Sequence, residues 1–216
     1  MQDTGQEAGS QRLRSIYQKF RDCTMVGEEK YIGNLAMAEM CKEIPGCVVE
    51  CGTWRGGMIA GIADVLGAGR RYYLFDSFEG LPPAQEIDGA AALRWQADTS
   101  SPVYYDNCRA SEEEARAAMS LSAAVDYHLV KGWFRDTLPH AEFPEPIALL
   151  RLDADWYDST KCILENLASK VHPGGLIIVD DYYTWDGCTR ALNEFATLRN
   201  WRIRQFHPGG TCYIVA

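Results

Sequence analysis

Residues 47–57 read Cys-Val-Val-Glu-Cys-Gly-Thr-Trp-Arg-Gly-Gly, and this stretch decides the fold. Its β-branched beginning, residues 47–50, predicts a short strand that stops at a glycine-rich turn. An apolar helix is expected to follow over residues 58–66. Glycines at such a turn let the backbone approach a ligand and let helix N–H groups face it, although a tight turn alone would also explain them. The order of strand, turn and helix indicates the first half of a βαβ unit.

The same alternation of strands and helices continues along the chain. Further strands are predicted over residues 71–76, 127–131, 147–153 and 176–180, and helices over residues 111–121, 159–170 and 185–198. A terminal hairpin is predicted from residues 201–206 and 211–215, which flank Pro208-Gly209-Gly210. This rhythm predicts the α/β class, with a mostly parallel, doubly wound sheet to which the hairpin adds an antiparallel strand.

The length of 216 residues suits one domain of ordinary size. We expect residues 1–10 to be a disordered tail, residues 11–46 to form N-terminal helices and residues 47–216 to form a single domain. Within that domain, residues 80–107 show weak periodicity and are predicted to form a lid or a substrate loop, because a long loop in a compact domain is usually functional.

Composition and charge exclude several classes of partner. The 30 acidic residues outnumber the 21 basic ones, and the resulting charge of −9 disfavours a nucleic acid or an anionic membrane as a partner. No apolar run approaches the roughly 18 residues of a membrane-spanning helix. The eight cysteines are scattered without a Cys-x-x-Cys pair or a secretory signal. We therefore expect reduced thiols in a cytoplasmic protein.

Acidic residues follow several of the predicted strands, at the sheet edge where open α/β sheets bind ligands. Glu50 precedes the first glycine-rich turn and suits a cationic or zwitterionic ligand, such as an amino-acid moiety. Asp76 ends the second strand and fits hydrogen bonding to a ribose diol. The alternatives are a helix-capping role for Glu50 and an exposed strand-end position for Asp76.

Three further acids predict a metal site. Asp153 ends one predicted strand, and Asp180 and Asp181 end the next. We expect these carboxylates to meet without a basic partner, so that they repel one another until a hard cation such as Mg²⁺, Mn²⁺ or Ca²⁺ binds. The alternatives are solvated surface acids, or the Asp-x-Asp motif of a metal-dependent glycosyltransferase, because Asp155 completes that pattern.

Aromatic residues offer stacking surfaces near the same edge. Trp133 follows the third strand after Gly132, and it suits either an adenine wall or a core position. The long loop carries Trp95, Tyr104 and Tyr105, which would stack on a sugar or aglycone or form the core of a lid.

Taken in order, five blocks resemble the macrocin/mycinamicin-type O-methyltransferases. The blocks are Glu50-x-Gly-Thr-Trp-Arg-Gly-Gly, Asp76-Ser-Phe-Glu-Gly-Leu-Pro, Gly132-Trp-Phe-Arg-Asp-Thr-Leu-Pro, Leu152-Asp-Ala-Asp-Trp-Tyr-Asp-Ser-Thr and Pro173-Gly-Gly-Leu-Ile-Ile-Val-Asp-Asp-Tyr. The resemblance implies a class I, Rossmann-like fold with a seven-stranded sheet. It also implies transfer of a methyl group from S-adenosylmethionine to a sugar hydroxyl of a natural product in antibiotic biosynthesis, with Mg²⁺ or Mn²⁺.

The resemblance also assigns roles to residues of this chain. It places the methionine part of the cofactor at Thr24, Met25, Glu50, Gly52 and Thr53, the ribose at Asp76 and Ser77, and the adenine at Gly132 and Trp133. It assigns the metal to Asp153, Asp180 and Asp181, and we expect Asp153 to face the cofactor and to act as the base. The interval from Asp153 to Asp180 is 180 − 153 = 27 residues, one fewer than related enzymes often show, so Asp155 is a reserve ligand. Catechol-type relatives carry a lysine where this chain has Trp156, which excludes the lysine-assisted mechanism.

Alternative functions remain open on the sequence alone. They are the glycosyltransferase, a catechol-type small-molecule O-methyltransferase, and a non-catalytic assembly subunit that keeps the fold. The expected partner is a glycosylated small molecule. We also expect a homo-oligomer, because the amphipathic N-terminal helices and the many aromatic residues suit a dimer face, although these helices would equally cap the sheet.

Overall fold

The computed structural model describes residues 3–216, which fold around one seven-stranded sheet. The strands are β1 Cys47–Cys51, β2 Arg71–Asp76, β3 Asp126–Lys131, β4 Ile147–Leu152, β5 Val171–Val179, β6 Arg204–Phe206 and β7 Thr211–Val215. The helices are α1 Asp3–Phe20, α2 Glu28–Met40, α3 Gly57–Leu66, α4 Gly89–Ala97, α5 Tyr105–Cys108, α6 Glu112–Leu121, α7 Phe134–Thr137, α8 Tyr157–Leu167 and α9 Asp186–Arg199. Short 3₁₀ turns follow α1, precede α4, and follow α7 and α8.

The order of the strands creates a switch point beside β1. The sheet runs β3-β2-β1-β4-β5-β7-β6, with β1 parallel to both β2 and β4. The chain builds outward from β1 in one direction and then resumes at β4 in the other, which opens a crevice at the carboxyl ends of these strands. The two C-terminal strands are antiparallel. The predicted α/β class, with a mostly parallel sheet and an antiparallel terminal hairpin, is confirmed.

The sheet is covered on both faces, which explains why its central strands β1 and β4 are apolar apart from Glu50 and Arg151. Val49 packs into the core formed with α8 and α9, whereas Val48 packs into the core formed with α1, α2 and α3. All residues of β1 and β4 are buried. A strand buried on both faces carries hydrophobic residues without alternation, as these strands do.

Two element boundaries differ from the sequence prediction. Residues 1–10 were expected to be a disordered tail; residues 1 and 2 lie outside the described residues, and residues 3–10 are helical and belong to α1. Gln, Glu and Ala residues there are good helix formers, and the helix they join is anchored by the buried residues Leu13 and Ile16. β5 begins at Val171, upstream of Pro173-Gly174-Gly175, where we expected only a helix stop.

The predicted lid, residues 80–107, is tied to the beginning of α8. Trp156 Nε1 donates a hydrogen bond to the carbonyl of Pro82 (2.9 Å), and the Tyr157 N–H donates one to Asp88 Oδ1 (2.7 Å). Gln85 Nε2 donates to Asp158 Oδ2 (2.7 Å). These bonds hold α4 and its flanking segments over the carboxyl edge of the sheet.

The N-terminal helices cap one face of the sheet. Leu13, Ile16 and Phe20 of α1 are buried within the chain, together with Tyr31 and Leu35 of α2. Their apolar faces therefore pack within the chain, as expected if these helices cap the sheet. The homo-oligomer stays a prediction. Within residues 3–216, no helix combines the length and apolar character needed to cross a bilayer.

Candidate active site

A cavity of about 690 Å³ opens at the carboxyl edge of the sheet, beside the switch point. Residues at the ends of all five parallel strands line it: Gly52, Asp76, Gly132, Asp153 and Asp180. Its volume is within the range of small-molecule sites, and its position is where doubly wound sheets bind ligands.

The three acids predicted as metal ligands meet in this cavity. One oxygen of each of Asp153, Asp180 and Asp181 lies within 4.8 Å of the others. Asp180 and Asp181 are buried, whereas the side chain of Asp153 is 30% exposed. Three converging carboxylates are the donor set that Mg²⁺ and Mn²⁺ prefer.

Arg151 lies among these acids, so the expectation that they lack a basic partner is wrong. Its fully buried guanidinium donates hydrogen bonds to Glu50 Oε1 (2.9 Å), Asp153 Oδ2 (2.9 Å) and Asp180 Oδ1 (2.6 Å). The sequence held a signal for this pairing, because Glu50 and Arg151 occupy buried strands that pair in register. A charge in a strand buried on both faces needs a partner at the same depth.

Lys30 of α2 is the second cation of the cluster. Its Nζ lies 2.5 Å from Asp180 Oδ2 and donates a hydrogen bond to the backbone carbonyl of Asp180 (2.7 Å). Burial alone would raise the pKa of Asp180, but Arg151 and Lys30 together hold it below its usual value. Sequence reasoning missed Lys30, since 150 residues separate it from Asp180.

Two carboxylates of this cluster, Asp155 and Asp181, form no salt bridge within residues 3–216. Asp181 Oδ2 accepts a hydrogen bond from the Asp155 N–H (3.1 Å), and Asp155 Oδ1 accepts one from Trp185 Nε1 (2.8 Å). Burial, followed by the neighbouring carboxylates, raises the pKa of Asp155 to about 7 and that of Asp181 well above its usual value. The acids of this cluster therefore carry more negative charge than Arg151 and Lys30 neutralise, and a divalent cation would balance the excess.

The glycine-rich turn after β1 is fixed by Asp76. Its Oδ2 accepts hydrogen bonds from the N–H groups of Thr53 (2.7 Å) and Trp54 (2.9 Å), and its Oδ1 accepts one from Phe78 (2.8 Å). The backbones of Trp54 and Phe78 adopt the left-handed conformation, with φ of 48° and 57°. This conformation costs a non-glycine residue on the order of 1 kcal/mol. Asp76 still lines the cavity, and its carboxylate retains capacity for a ligand hydroxyl.

Glu50 and Thr53 lie behind the cavity rather than along its wall. Glu50 is fully buried, and its Oε2, like Thr53 Oγ1, has no hydrogen-bond partner within residues 3–216. Buried polar atoms are seldom left unpaired, so these two atoms mark the end of β1 as a place where a ligand group would be accommodated.

The other residues assigned to the cofactor divide into two groups. Met25, Ser77 and Trp133 line the cavity, with Gly52, Asp76 and Gly132. Thr24 does not line it, and its hydroxyl instead accepts a hydrogen bond from the N–H of Val26 (3.1 Å). The adenine-stacking role of Trp133 stays a prediction.

Three tryptophans form an aromatic wall on the lid side of the cavity. Trp95, Trp156 and Trp185 all line it, and their ring centroids lie 5.3–6.2 Å apart. Sequence reasoning named Trp95 as a stacking residue but gave Trp156 and Trp185 no such role. Their convergence depends on the packing of α4 against the loops that follow β4 and β5.

Comparison with known proteins identifies similar chains. The model of a family described as macrocin-O-methyltransferase (TylF) matches residues 7–205. Demethyldecarbamoylnovobiocin O-methyltransferase of Streptomyces niveus is 36% identical over 195 residues, which cover 87% of this chain and 66% of that protein. An 8-demethyl-8-(2,3-dimethoxy-alpha-L-rhamnosyl)-tetracenomycin-C 4'-O-methyltransferase of Streptomyces olivaceus is 35% identical, over 80% of this chain and 67% of its own length. The chain thus spans about two thirds of the length of these relatives.

The fold has a counterpart among solved structures. The O-methyltransferase NovP superposes with a TM-score of 0.71 and 31% sequence identity, over 89% of this chain and 81% of the NovP chain.

Proposed function

The chain belongs to the macrocin-O-methyltransferase (TylF) family, and on this premise we propose that it methylates a sugar hydroxyl of a glycosylated natural product. The donor is S-adenosylmethionine, a divalent cation assists, and the product belongs to antibiotic biosynthesis. One observation carries the proposal: a single cavity holds Asp76 at one strand end and the trio Asp153, Asp180 and Asp181 at two others.

The switch-point side of the cavity suits the cofactor. Asp76 is placed to accept hydrogen bonds from a ribose diol, while Trp133 offers a ring to the adenine. Glu50 and Thr53, whose Oε2 and Oγ1 are unpaired, flank Gly52, which lines the cavity, so the amino-acid end would lie at this turn. The names of the two relatives described above support methyl transfer to an oxygen, and the rhamnosyl group in the name of the Streptomyces olivaceus relative supports a sugar as the acceptor.

The acids on the other side suit the metal and the acceptor. Asp153, Asp180 and Asp181 would hold Mg²⁺, while Arg151 and Lys30 keep Asp180 ionised and in place. A bound divalent cation supplies Lewis acidity that lowers the pKa of an acceptor hydroxyl. Asp155 stays the reserve ligand.

Methyl transfer then requires positioning and a base. Bound S-adenosylmethionine would supply an electrophilic methyl group on a sulfonium, and the cavity would have to hold the acceptor oxygen about 3 Å from that methyl carbon. The hydroxyl proton passes to Asp153, whose Oδ2 is anchored by Arg151 while the side chain stays partly exposed to the cavity. The lid over residues 80–107 excludes water from the reacting groups.

Calorimetry with S-adenosylhomocysteine tests the cofactor site. We expect micromolar affinity, weakened at least about tenfold by Asp76→Ala because the ribose loses its acceptor. Asp76→Asn keeps an acceptor for the turn and should lose less. Asp22→Asn, whose side chain is 91% exposed, is the matched control and should bind like the wild type. If neither S-adenosylhomocysteine nor S-adenosylmethionine produced a heat of binding, the proposal would be refuted.

Thermal unfolding tests the metal site without an activity assay. Asp155 has a pKa of about 7 in the folded protein, well above its value in the unfolded chain. Without metal, the folded protein therefore binds one more proton at Asp155 than the unfolded chain does between about pH 4 and 7. Its stability should therefore fall as the pH rises through that range. Mg²⁺ binds the ionised carboxylates, so its stabilising effect should be larger at pH 8 than at pH 6. Equal shifts in Tm at the two pH values would contradict this assignment.

A further inference from the structure

We propose that the tryptophan wall of Trp95, Trp156 and Trp185 is the subsite for a planar, apolar aglycone joined to the sugar, and that it selects aryl glycosides over nucleotide sugars. This inference rests on the proposed function, because it names the class of acceptor that the same cavity takes. It goes further by assigning the part of the acceptor that does not react.

The wall presents only apolar ring surface to a ligand, because each indole N–H is already engaged. Trp95 Nε1 donates to the carbonyl of Val103 (2.9 Å), Trp156 Nε1 to the carbonyl of Pro82 (2.9 Å) and Trp185 Nε1 to Asp155 Oδ1 (2.8 Å). Trp156 is buried at the back, whereas Trp95 and Trp185 are half-buried and line the cavity. The three edge-to-face contacts fix the rings before a ligand arrives, which lowers the entropic cost of stacking.

The wall adjoins the reacting centre through two hydrogen bonds. Trp185 is bonded to Asp155, and the N–H of Asp155 donates in turn to Asp181 Oδ2 (3.1 Å). The rings of Trp185 and Trp95 therefore lie beside the acids at which the sugar would be held, within reach of its glycosidic substituent.

The charges of the cavity oppose a diphosphate. Lys30 and Arg135 are the cations that line it, and Lys30 is already paired with Asp180. The acids that line it are Asp76, Asp88, Asp153, Asp155, Asp158, Asp180 and Asp181. With the divalent cation held by Asp153, Asp180 and Asp181, four acids of the lining remain: Asp76, Asp88, Asp155 and Asp158. They would repel the phosphates of a nucleoside diphosphate sugar, and a neutral aryl glycoside avoids this repulsion.

Calorimetry on protein saturated with S-adenosylhomocysteine and Mg²⁺ tests the proposal with three probes. They are 4-methylumbelliferyl α-L-rhamnoside, methyl α-L-rhamnoside and dTDP-L-rhamnose. We expect the aryl glycoside to bind at least about tenfold more tightly than the methyl glycoside, and the nucleotide sugar to bind no better than the methyl glycoside. Trp95→Ala should remove the preference for the aryl group, and Trp95→Phe, which keeps a ring, should retain most of it.

The outcomes separate this inference from the function on which it rests. Failure to bind S-adenosylhomocysteine would overturn the methyltransferase assignment itself. Normal cofactor binding together with an aryl glycoside that binds no better than the methyl glycoside, or with a nucleotide sugar that binds most tightly, would overturn the aglycone subsite alone. Retention of the aryl preference by a folded, cofactor-binding Trp95→Ala protein would also overturn it.

Discussion

Replacement of Asp181 by asparagine should slow methyl transfer about 10³-fold while leaving the metal-free protein at least as stable as the wild type. Asp181 is buried, lacks a cationic partner within the described chain, and accepts one hydrogen bond, from the N–H of Asp155. Its pKa is raised by burial and by Asp155 and Asp153, which means that its charge is unfavourable in the empty site. Asparagine keeps the acceptor oxygen and removes that charge.

The loss of activity follows from the role proposed for the same charge. A metal that polarises a hydroxyl is worth several kcal/mol of transition-state stabilisation, so kcat/KM should fall by about 10³-fold. Calorimetry with Mn²⁺ should show weakened metal binding, whereas the affinity for S-adenosylhomocysteine should change little. The Tm without metal should stay level or rise.

Asp22→Asn again serves as the control for a lost carboxylate, since its side chain is almost fully exposed. Wild-type activity in Asp181→Asn, or activity of the wild-type protein that persists undiminished in EDTA, would contradict the metal assignment. A large drop in the Tm of metal-free Asp181→Asn would show instead that this carboxylate is structural.

The positions of the acids could be predicted from the sequence, because they depend on topology alone. Strand-end residues of adjacent parallel strands must share one edge of the sheet, so Asp153 and Asp180 were expected to meet, and one oxygen of each lies within 4.8 Å of the other. The fold could be predicted because a strand that is covered on both faces needs mostly apolar residues. Such a run is visible in the sequence of β4.

The charge balance of the site could not be predicted in the same way. Lys30 reaches Asp180 from a helix that lies far away in the chain, and no periodicity encodes that contact. Trp156 and Trp185 converge with Trp95 because α4 packs against the loops that follow β4 and β5. Such contacts depend on tertiary geometry. The Glu50–Arg151 pair could have been predicted, because each residue is a charged position in an otherwise apolar strand and the two strands are neighbours.

Arg151→Met should destabilise the protein strongly, because it leaves a cluster of buried carboxylates without its central cation. Removal of one partner from a buried ion pair typically costs about 3–5 kcal/mol. For a chain of this size, each kcal/mol lowers Tm by roughly 2–4 °C, so the expected loss is on the order of 10 °C. Arg190→Met is the matched control, since that arginine pairs with Glu194 at the same 2.9 Å distance but is 61% exposed. It should cost less than about 1 kcal/mol.

A double-mutant cycle identifies the origin of that cost. If the penalty is the uncompensated charge of Glu50, then Glu50→Gln should relieve part of it, because glutamine fills a similar volume without the charge. The double variant Glu50→Gln/Arg151→Met should therefore be more stable than the sum of the two single losses predicts. Additive losses in urea-unfolding measurements would show that Arg151 acts through packing or through Asp153 and Asp180 alone. A positive coupling would establish that the guanidinium of Arg151 on β4 compensates the buried charge of Glu50 on β1.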